Sequence, residues 1–427
     1  MSHANSIATI PAMLTQIRQV ATDFKQRNIA SPSHIQSKLD IVAKTRTSLF
    51  PWRGQFSPQF IEHIFEEFAP TSGIVLDPFC GSGTVLAEAA REGLGAYGFD
   101  INPAAFLFAS MHQLCNLSGV ERHALIGRVS ELLSRSYQGS LFCEVPCDPV
   151  TSILSLRGPD LLVGSVALML AMGDSRSLDV KKLSRSLAVV NETLQSMPFS
   201  KETIKAMPLD SRAVPLGAHT VDLVVTSPPY INVFNYHQNY RPAMELLGWS
   251  PLKVAVAEIG ANRKHRQNRF LTVIQYAIDM GLVLREMHRV MKTSGHLVLV
   301  VGRCSSVRRV TFPNGMMLAL VAQQLSDFDL SDWRERQFIN RFGEQIYEDI
   351  LILKPNARCQ SNDPLATGRA VGSWALEQGY GQADREVQKD IDAALRQVAD
   401  VMPSPITRVA VPDQFKSIAE NVHRSTE

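Results

Sequence analysis

The chain has 427 residues, of which 45% are hydrophobic and 20% are charged. These proportions are typical of globular proteins and exclude disorder throughout, while the length indicates two or three domains. The 43 basic and 41 acidic residues leave a formal net charge of +2. A nucleic-acid partner would therefore have to be bound by a local basic patch and not by the overall charge.

The sequence predicts neither a membrane span nor a secretory signal. Its longest apolar stretch, residues 161–172, is interrupted by a glycine and a serine and is shorter than the roughly 20 residues that cross a bilayer. The N-terminus lacks a basic start, an apolar core and a cleavage site. Six cysteines are too few for a disulfide framework, and Cys143 and Cys147 have no second pair of metal ligands nearby. We expect a cytoplasmic protein with free thiols and no metal.

The first predicted elements are helices followed by a β-α-β unit. Residues 1–46 form an N-terminal helical extension, with apolar positions at helical spacing from about residue 10. From Ile74, IVLDPF predicts a strand, GSGT a turn, VLAEAAREG a helix that a glycine ends, and GAYGFDI a second strand. Residues 111–204 then predict a helical insertion.

Strands resume at VDLVVTSPPY, residues 221–230. A long helix over 271–292, a strand over 296–302 and a strand over 348–354 follow. Because parallel neighbours need crossover helices, this alternation predicts an α/β fold, with a mostly parallel, Rossmann-like sheet covered on both faces. The C-terminal extension, residues 357–427, is rich in Gly, Pro, Asn and Asp and contains one amphipathic helix near 384–402.

The glycine turn after the first strand is a candidate cofactor site. In DPFCGSGT, Asp77 ends the strand, and Gly81 and Gly83 permit backbone geometry and a close approach that other residues forbid. No lysine follows the second glycine, so the turn is not a triphosphate-binding loop. Asp100 ends the next strand about 20 residues later, the spacing at which a carboxylate binds ribose hydroxyls. A dinucleotide and S-adenosylmethionine both suit this pattern, as does a purely structural turn.

A second motif, TSPPY at residues 226–230, follows the strand that begins at Val221. Pro228 and Pro229 fix an extended backbone and remove two N–H donors, so the loop offers carbonyl acceptors where open α/β sheets bind ligands. Tyr230 adds an aromatic ring.

Together, DPFCGSGT and TSPPY resemble the motifs of the amino-methylating DNA methyltransferases, in the variant typical of the N4-cytosine enzymes. The resemblance indicates a catalytic domain over 47–110 and 205–356, with RTSLFPWRGQFSP (46–58) similar to the segment that borders the cofactor. The order of the two motifs is that of the α or γ arrangements. The insertion over 111–204 resembles the α placement of a target-recognition region. The resemblance implies S-adenosylmethionine as cofactor and double-stranded DNA as partner.

The resemblance also implies roles for individual residues. The Ser227 hydroxyl and the Pro228 carbonyl would accept hydrogen bonds from the target amine, and Tyr230 would stack on the flipped base. Pro229 completes the motif, whose first residue is serine and not Asp or Asn, which favours cytosine over adenine. The residues implied at the cofactor are Asp77, Phe79, Gly81 and Gly83 around the methionine half, Asp100 on the ribose and Asp210 at the adenine amine.

Two further segments have open interpretations. A basic run is either solvated surface or a set of DNA phosphate contacts, and consists of Arg263, Lys264, Arg266 and Arg269. Residues 231–241 are either a lid over the base or part of the core, with His237 expected as a hydrogen-bonded loop residue and not a general base. Cys80 lies in the cofactor turn, away from the two prolines, so it is not expected to act as a nucleophile.

The leading interpretation is a DNA cytosine-N4 methyltransferase, which a cognate restriction enzyme or another defence-system subunit could accompany. Four alternatives stay open. They are an N6-adenine DNA methyltransferase, an RNA amino-methyltransferase, a nicotinamide-dependent oxidoreductase that uses GSGT as its nucleotide turn, and a non-catalytic DNA-recognition subunit.

Overall fold

The computed structural model describes residues 3–27, 32–42, 44–138, 148–231, 235–261, 265–340, 343–356 and 362–420. Nine strands occur in these ranges, seven of them in one sheet and two in a hairpin. They are β1 (Ile74–Asp77), β2 (Gly95–Phe99), β3 (Ile204–Met207), β4 (Val221–Thr226), β5 (Met291–Gly302), β6 (Cys304–Val307), β7 (Val310–Pro313), β8 (Phe328–Ile339) and β9 (Gln345–Pro355).

The large sheet has the strand order β3-β2-β1-β4-β5-β9-β8. The first five strands in this order, β3, β2, β1, β4 and β5, are parallel to their neighbours. Strand β9 runs antiparallel to both β5 and β8. The hairpin β6–β7 lies outside this sheet. The order and directions confirm the predicted α/β fold with a mostly parallel sheet.

Sixteen α-helices surround the sheet within the described residues. They are α1 (His3–Lys25), α2 (Ser33–Leu39), α3 (Pro58–Phe68), α4 (Thr84–Glu92), α5 (Pro103–Met111), α6 (Gly119–Gln138), α7 (Pro149–Ser155), α8 (Gly158–Met172), α9 (Val180–Ser196), α10 (Arg241–Leu246), α11 (Pro251–Val254), α12 (Leu271–Val290), α13 (Asn314–Leu325), α14 (Pro364–Tyr380), α15 (Arg385–Arg396) and α16 (Lys416–Glu420). Within these ranges no helix is long and apolar enough to span a bilayer.

Each face of the sheet carries its own hydrophobic core. Along β5, Val298 and Val300 point into one core while Leu297 and Leu299 point into the other, as the two-residue period of a strand requires. The first core contains α3, α4 and the helices α5 to α9, so the helical insertion packs directly on the sheet. The second core contains α1, α12, α13 and α14.

The structure differs from the sequence prediction at several elements. The short edge strand β3 and the edge strand β8 were not predicted, because β3 has only four residues and β8 alternates charged with apolar side chains in a pattern without clear bounds. The long helix ends at Val290, and β5 begins at once at Met291 without a glycine or proline to mark the change. The amphipathic helix predicted near 384–402 is confirmed as α15.

Helix α14 was also missed, because its glycines were interpreted as loop residues. Two of them face α12. A Cβ atom at Gly368 would lie 2.3 Å from the Cα atom of Ile278, and one at Gly372 would lie 2.6 Å from the Cα atom of Ile274. The glycines therefore permit the two helix backbones to approach more closely than any larger residue would allow.

We predict that Gly368→Ala lowers the free energy of unfolding by about 1–3 kcal/mol, because the added methyl group overpacks the contact with α12. Helix propensity alone would change the stability in the opposite direction, by about 1 kcal/mol. The measurement is equilibrium denaturation in urea. Gly381→Ala is the matched control, because φ is −68° there and its Cβ atom would meet nothing within 4 Å. Wild-type stability of Gly368→Ala would contradict the close packing.

Candidate active site

One cavity lies at the carboxyl ends of the parallel strands. Asp77 ends β1, Asp100 follows β2, Asp210 follows β3 and Ser227 follows β4, and all four residues line it. The lining also contains the predicted residues Phe79, Gly81, Pro229 and Tyr230. The two motifs that are far apart in sequence therefore share one site.

Two predicted site residues do not line the cavity. Pro228 is buried beside it. Gly83 has a positive φ of 85°, and a Cβ atom there would lie 2.5 Å from Cδ2 of His112. Gly83 thus fixes the turn at the start of α4 and faces the protein interior, whereas Gly81 faces the cavity.

The glycine turn is covered by Trp52. A Cβ atom at Gly81 would lie 2.6 Å from the indole Cδ1 atom, so only glycine leaves room for the ring. The Trp52 ring stacks on Tyr236 with centroids 6.2 Å apart and an interplanar angle of 10°. The Tyr236 carbonyl accepts a hydrogen bond of 2.8 Å from the Asn102 side chain. All four residues line the cavity, and Trp52 thereby brings part of the segment 46–58 to it.

Two carboxylates, the buried Asp77 and the half-buried Asp100, lie at the ends of β1 and β2. Asp77 accepts hydrogen bonds from the Thr226 hydroxyl at 2.7 Å and from the Phe79 N–H at 3.1 Å. Asp100 accepts from the N–H groups of Asn102 at 2.8 Å and Gly81 at 3.2 Å. Burial raises the pKa of each carboxyl to about 7, because the charged form loses its hydration. Each Asp100 oxygen accepts one of these bonds and retains a lone pair for a ligand hydroxyl.

Among the other charged side chains that the structure describes in the cavity, acidic residues outnumber basic ones. The carboxylates of Asp210 and Glu258 also line it, and the basic residue in its lining is Arg53. Asp210 is neutralised by the buried guanidinium of Arg212 at 2.6 Å. The cavity therefore favours a cationic ligand and disfavours the phosphates of a dinucleotide.

Of the described residues within 231–241, some line the cavity and others belong to the hydrophobic core. Residues 232–234, with Phe234 among them, lie outside the described residues. Tyr236 lines the cavity, whereas Tyr240 packs against Phe108 in the core. His237 is buried, with its Nδ1 atom 2.7 Å from the Glu258 carboxylate, and so is the hydrogen-bonded loop residue that was expected.

The Ser227 hydroxyl lies 3.3 Å from the Tyr230 hydroxyl, and the Tyr230 ring lies against Gly302 of β5. Cys80 is buried, and burial raises the pKa of its thiol, as expected for a residue that is not a nucleophile. Asn102 and Glu258 were not predicted from the sequence, because their positions in the site depend on packing between distant segments.

The predicted DNA contacts are only partly described. Arg266 is exposed and Arg269 is half-buried, while Arg263 and Lys264 lie outside the described residues. Cys143 and Cys147 also lie outside them. The DNA-binding role of the basic run stays a prediction.

One comparison with known proteins covers the first of the two motifs, the glycine turn. Residues 21–110 match the model of the DNA methylase family that comprises N6- and N4-amino-methyltransferases. The match confirms the predicted resemblance over these residues, and S-adenosylmethionine is the cofactor that it indicates. The type II methyltransferase M.MjaII of Methanocaldococcus jannaschii is 35% identical over 63 residues, which are 15% of this chain and 12% of that protein. The aligned segment thus spans about an eighth of this relative.

Solved structures were also matched. A SAM-dependent methyltransferase from Methanosarcina mazei is 13% identical, with a TM-score of 0.32 over 69% of this chain and 98% of that one. The rRNA methyltransferase AviRa from Streptomyces viridochromogenes is 14% identical, with a TM-score of 0.29 over 71% of this chain and 88% of that one. The fold assignment rests on the strand order described above.

We predict that binding of S-adenosylmethionine weakens as the pH falls below about 7, where Asp77 and Asp100 take up protons. Only the ionised carboxylates attract the sulfonium charge, so the Kd rises by at most about tenfold per pH unit for each group. Isothermal titration calorimetry between pH 5.5 and 8.5 measures this dependence.

Asp100→Asn is the matched control for the pH dependence. The amide is isosteric but does not ionise, so the variant should bind more weakly at pH 8 and show a shallower slope below pH 7. The titration of the ligand itself is common to both proteins and cancels in the comparison. Parallel slopes in the two proteins would reject the role of Asp100.

Proposed function

We propose that this chain, whose residues 21–110 match the amino-methylating DNA methylases, transfers a methyl group from S-adenosylmethionine to the exocyclic N4 amine of a flipped cytosine in DNA. The observation that carries the proposal is the shared cavity. Asp77 and Asp100 of the cofactor segment line the same space as Ser227 and Tyr230 of the TSPPY loop.

The cavity fits the cofactor by its charge and its shape. Asp77 would attract the cationic methionine half and Asp100 would bind the ribose hydroxyls, while the apolar side chains of Leu209 and Ile259 offer surface for the adenine. When bound, S-adenosylmethionine supplies a methyl group on positively charged sulfur. The same acidic lining argues against a nicotinamide dinucleotide, because its phosphates would meet several carboxylates and the single basic residue of the described lining, Arg53.

The TSPPY loop offers hydrogen-bond acceptors to the exocyclic amine, which is the nucleophile of this reaction. An exocyclic amine conjugated to a base ring is a weak nucleophile, because its lone pair is delocalised. If the Ser227 hydroxyl and the Pro228 carbonyl accept hydrogen bonds from the amine, the nitrogen becomes tetrahedral and its lone pair is directed at the methyl carbon. The nitrogen would take the methyl group as the bond between methyl carbon and sulfur breaks with its electron pair left on the neutral sulfur, and would then lose one proton to solvent, so no covalent enzyme intermediate is needed.

The target base must leave the duplex to reach this loop. Tyr230 would stack on the flipped base, a contact that contributes about 1–3 kcal/mol for a base on an aromatic ring. The insertion over 111–204 is the proposed target-recognition region. A cognate restriction enzyme or another defence-system subunit is a proposed partner.

The first test is mass spectrometry of nucleosides from the DNA of cells that express the protein. We predict N4-methylcytosine with the wild-type protein and a loss of at least about a hundredfold with Ser227→Ala, because the amine loses one of its acceptors. N6-methyladenine in place of N4-methylcytosine would keep the reaction and overturn the assignment of the base. Unmodified DNA together with methylated RNA would overturn the DNA substrate.

The second test concerns the basic run. We predict that replacing Arg263, Lys264 and Arg266 by alanine lowers the salt dependence of DNA binding by about one unit of slope for each lost phosphate contact. Fluorescence anisotropy of a labelled duplex at several salt concentrations measures the slope. An unchanged slope would mean that the basic run is ordinary solvated surface and does not contact DNA phosphates.

The matched comparison is a triple alanine variant of Lys181, Lys182 and Arg185, three exposed basic residues of the insertion. It removes the same charge at a different place. If both variants lower the slope, the insertion also contacts DNA. If only the first does, the phosphate contacts lie near the catalytic loop.

A further inference from the structure

We propose that Glu348 is a positioning residue, which acts through Tyr230 to orient the Ser227 hydroxyl so that its oxygen accepts a hydrogen bond from the target amine. That the ligand of Ser227 is the amine of a target base rests on the proposed function. The chain of hydrogen bonds itself is a property of the protein and is tested separately below.

The contacts run across three neighbouring strands. Gly302 of β5 pairs with Glu348 of β9, and Glu348 pairs in turn with Arg336 of β8. The Tyr230 ring lies on this row, because a Cβ atom at Gly302 would be only 3.1 Å from its Cε2 atom. The register of the antiparallel strands thus brings Glu348 to the catalytic loop, 118 positions after Tyr230.

The direction of each hydrogen bond follows from what the groups can donate. Arg336 donates a hydrogen bond of 2.6 Å from Nε to Oε2 of Glu348, and a terminal nitrogen of the guanidinium lies 2.6 Å from the same oxygen in an ion pair. A carboxylate paired with a guanidinium acts only as an acceptor. The Tyr230 hydroxyl, 3.4 Å from Oε1, must therefore donate to Glu348.

The next bond is directed by the same rule. The Tyr230 hydroxyl has one proton, and that proton points to Glu348. Burial and the nearby Glu348 carboxylate raise the pKa of the Tyr230 phenol, so this proton is retained. Its oxygen can then only accept, and the Ser227 hydroxyl at 3.3 Å donates to it. The lone pairs of the Ser227 oxygen are left for the cavity.

This direction matters because a serine hydroxyl can either donate or accept. The N–H groups of an exocyclic amine are donors and need acceptors opposite them. If the Ser227 proton pointed into the cavity, it would face another donor. The two hydrogen bonds therefore hold the Ser227 hydroxyl in one orientation, where it would otherwise rotate. Such preorganised polar groups make the largest contribution of an active site to the reaction rate.

The surroundings hold the chain of contacts in place. Glu348 and Arg336 are 9% and 8% exposed. The Arg336 guanidinium lies 4.2 Å from the centre of the Phe60 ring, a cation–π contact that limits its movement. Gly260 leaves room for the backbone of Tyr230, because a Cβ atom there would lie 2.6 Å from the Tyr230 carbonyl oxygen.

The contacts are tested first without catalysis, by NMR of protein labelled with ¹³C at the tyrosine ζ carbons. The chain has 8 tyrosines, and the Tyr230 signal is the one that disappears in Tyr230→Phe. We expect both variants to shift this signal, because Ser227→Ala removes one hydrogen bond of the Tyr230 hydroxyl and Glu348→Gln replaces its charged acceptor by a neutral amide. An unchanged signal in Glu348→Gln would overturn the proposed contacts whether or not the protein methylates DNA.

Glu335→Gln is the matched control. Glu335 lies next to Arg336 on β8 and pairs with Arg303, but it does not contact Tyr230. This variant loses an ion pair between β8 and the residue that follows β5, and should leave the Tyr230 signal unchanged. A shift equal to that of Glu348→Gln would mean that the signal reports only strand packing, and would overturn the assignment.

The role in the reaction is tested by single-turnover methylation of DNA. We expect Glu348→Gln and Tyr230→Phe each to lower the rate by about tenfold to a hundredfold, while the affinity of Glu348→Gln for S-adenosylmethionine stays close to wild type. The melting temperature of Glu348→Gln should fall, because Arg336 loses its charged partner. The double variant should be no slower than the slower single variant, because the two residues act through one serine.

Wild-type rates in both single variants would overturn the role of Glu348, as would rate losses that multiply in the double variant. If Glu348→Gln lowers both the melting temperature and the affinity for the cofactor, then Glu348 has a structural role and not a positioning role. If the wild-type protein methylates no DNA, the proposed function fails, and the NMR result still decides whether the contacts exist.

Discussion

A buried hydrogen bond of 2.7 Å between the Thr226 hydroxyl and the Asp77 carboxylate joins the ends of β1 and β4. The bond exists because these strands are parallel neighbours, so that both carboxyl ends reach the same edge of the sheet. The glycine turn follows one end and the TSPPY loop follows the other. The cofactor segment and the catalytic loop can share one cavity only while this pairing holds.

The cavity contains acidic groups of two kinds. Asp210 is paired with Arg212, which also bridges to Asp279 at 2.9 Å, so this carboxylate is compensated within the protein. Asp77 and Asp100 receive hydrogen bonds from neutral N–H and O–H groups, and their desolvation is compensated less completely. A cationic ligand would supply the missing charge. The two carboxyls thus carry a desolvation cost that a bound cation would relieve.

The faces of the sheet are closed by segments that lie outside the two motifs. Helices α6 to α9 of the insertion extend one core, and α1 and α14 complete the other. The proposed target-recognition region is thus anchored to the sheet by its own hydrophobic side chains. This anchoring would hold its outer surface in a fixed relation to the catalytic loop.

The sequence by itself determined the parts of this protein that depend on local geometry. A glycine with a positive φ, an acidic residue at a strand end and a pair of prolines after an apolar run each have a meaning within a few residues, so Asp77, Gly81, Asp100 and Ser227 could be identified without a structure. Only the tertiary structure decided which residues surround them. Strand register brings Glu348 and Gly302 to Tyr230, and the packing of distant loops brings Trp52 against Gly81. Such contacts depend on the relative position of whole elements, and hydrophobic periodicity within one element carries no information about that position.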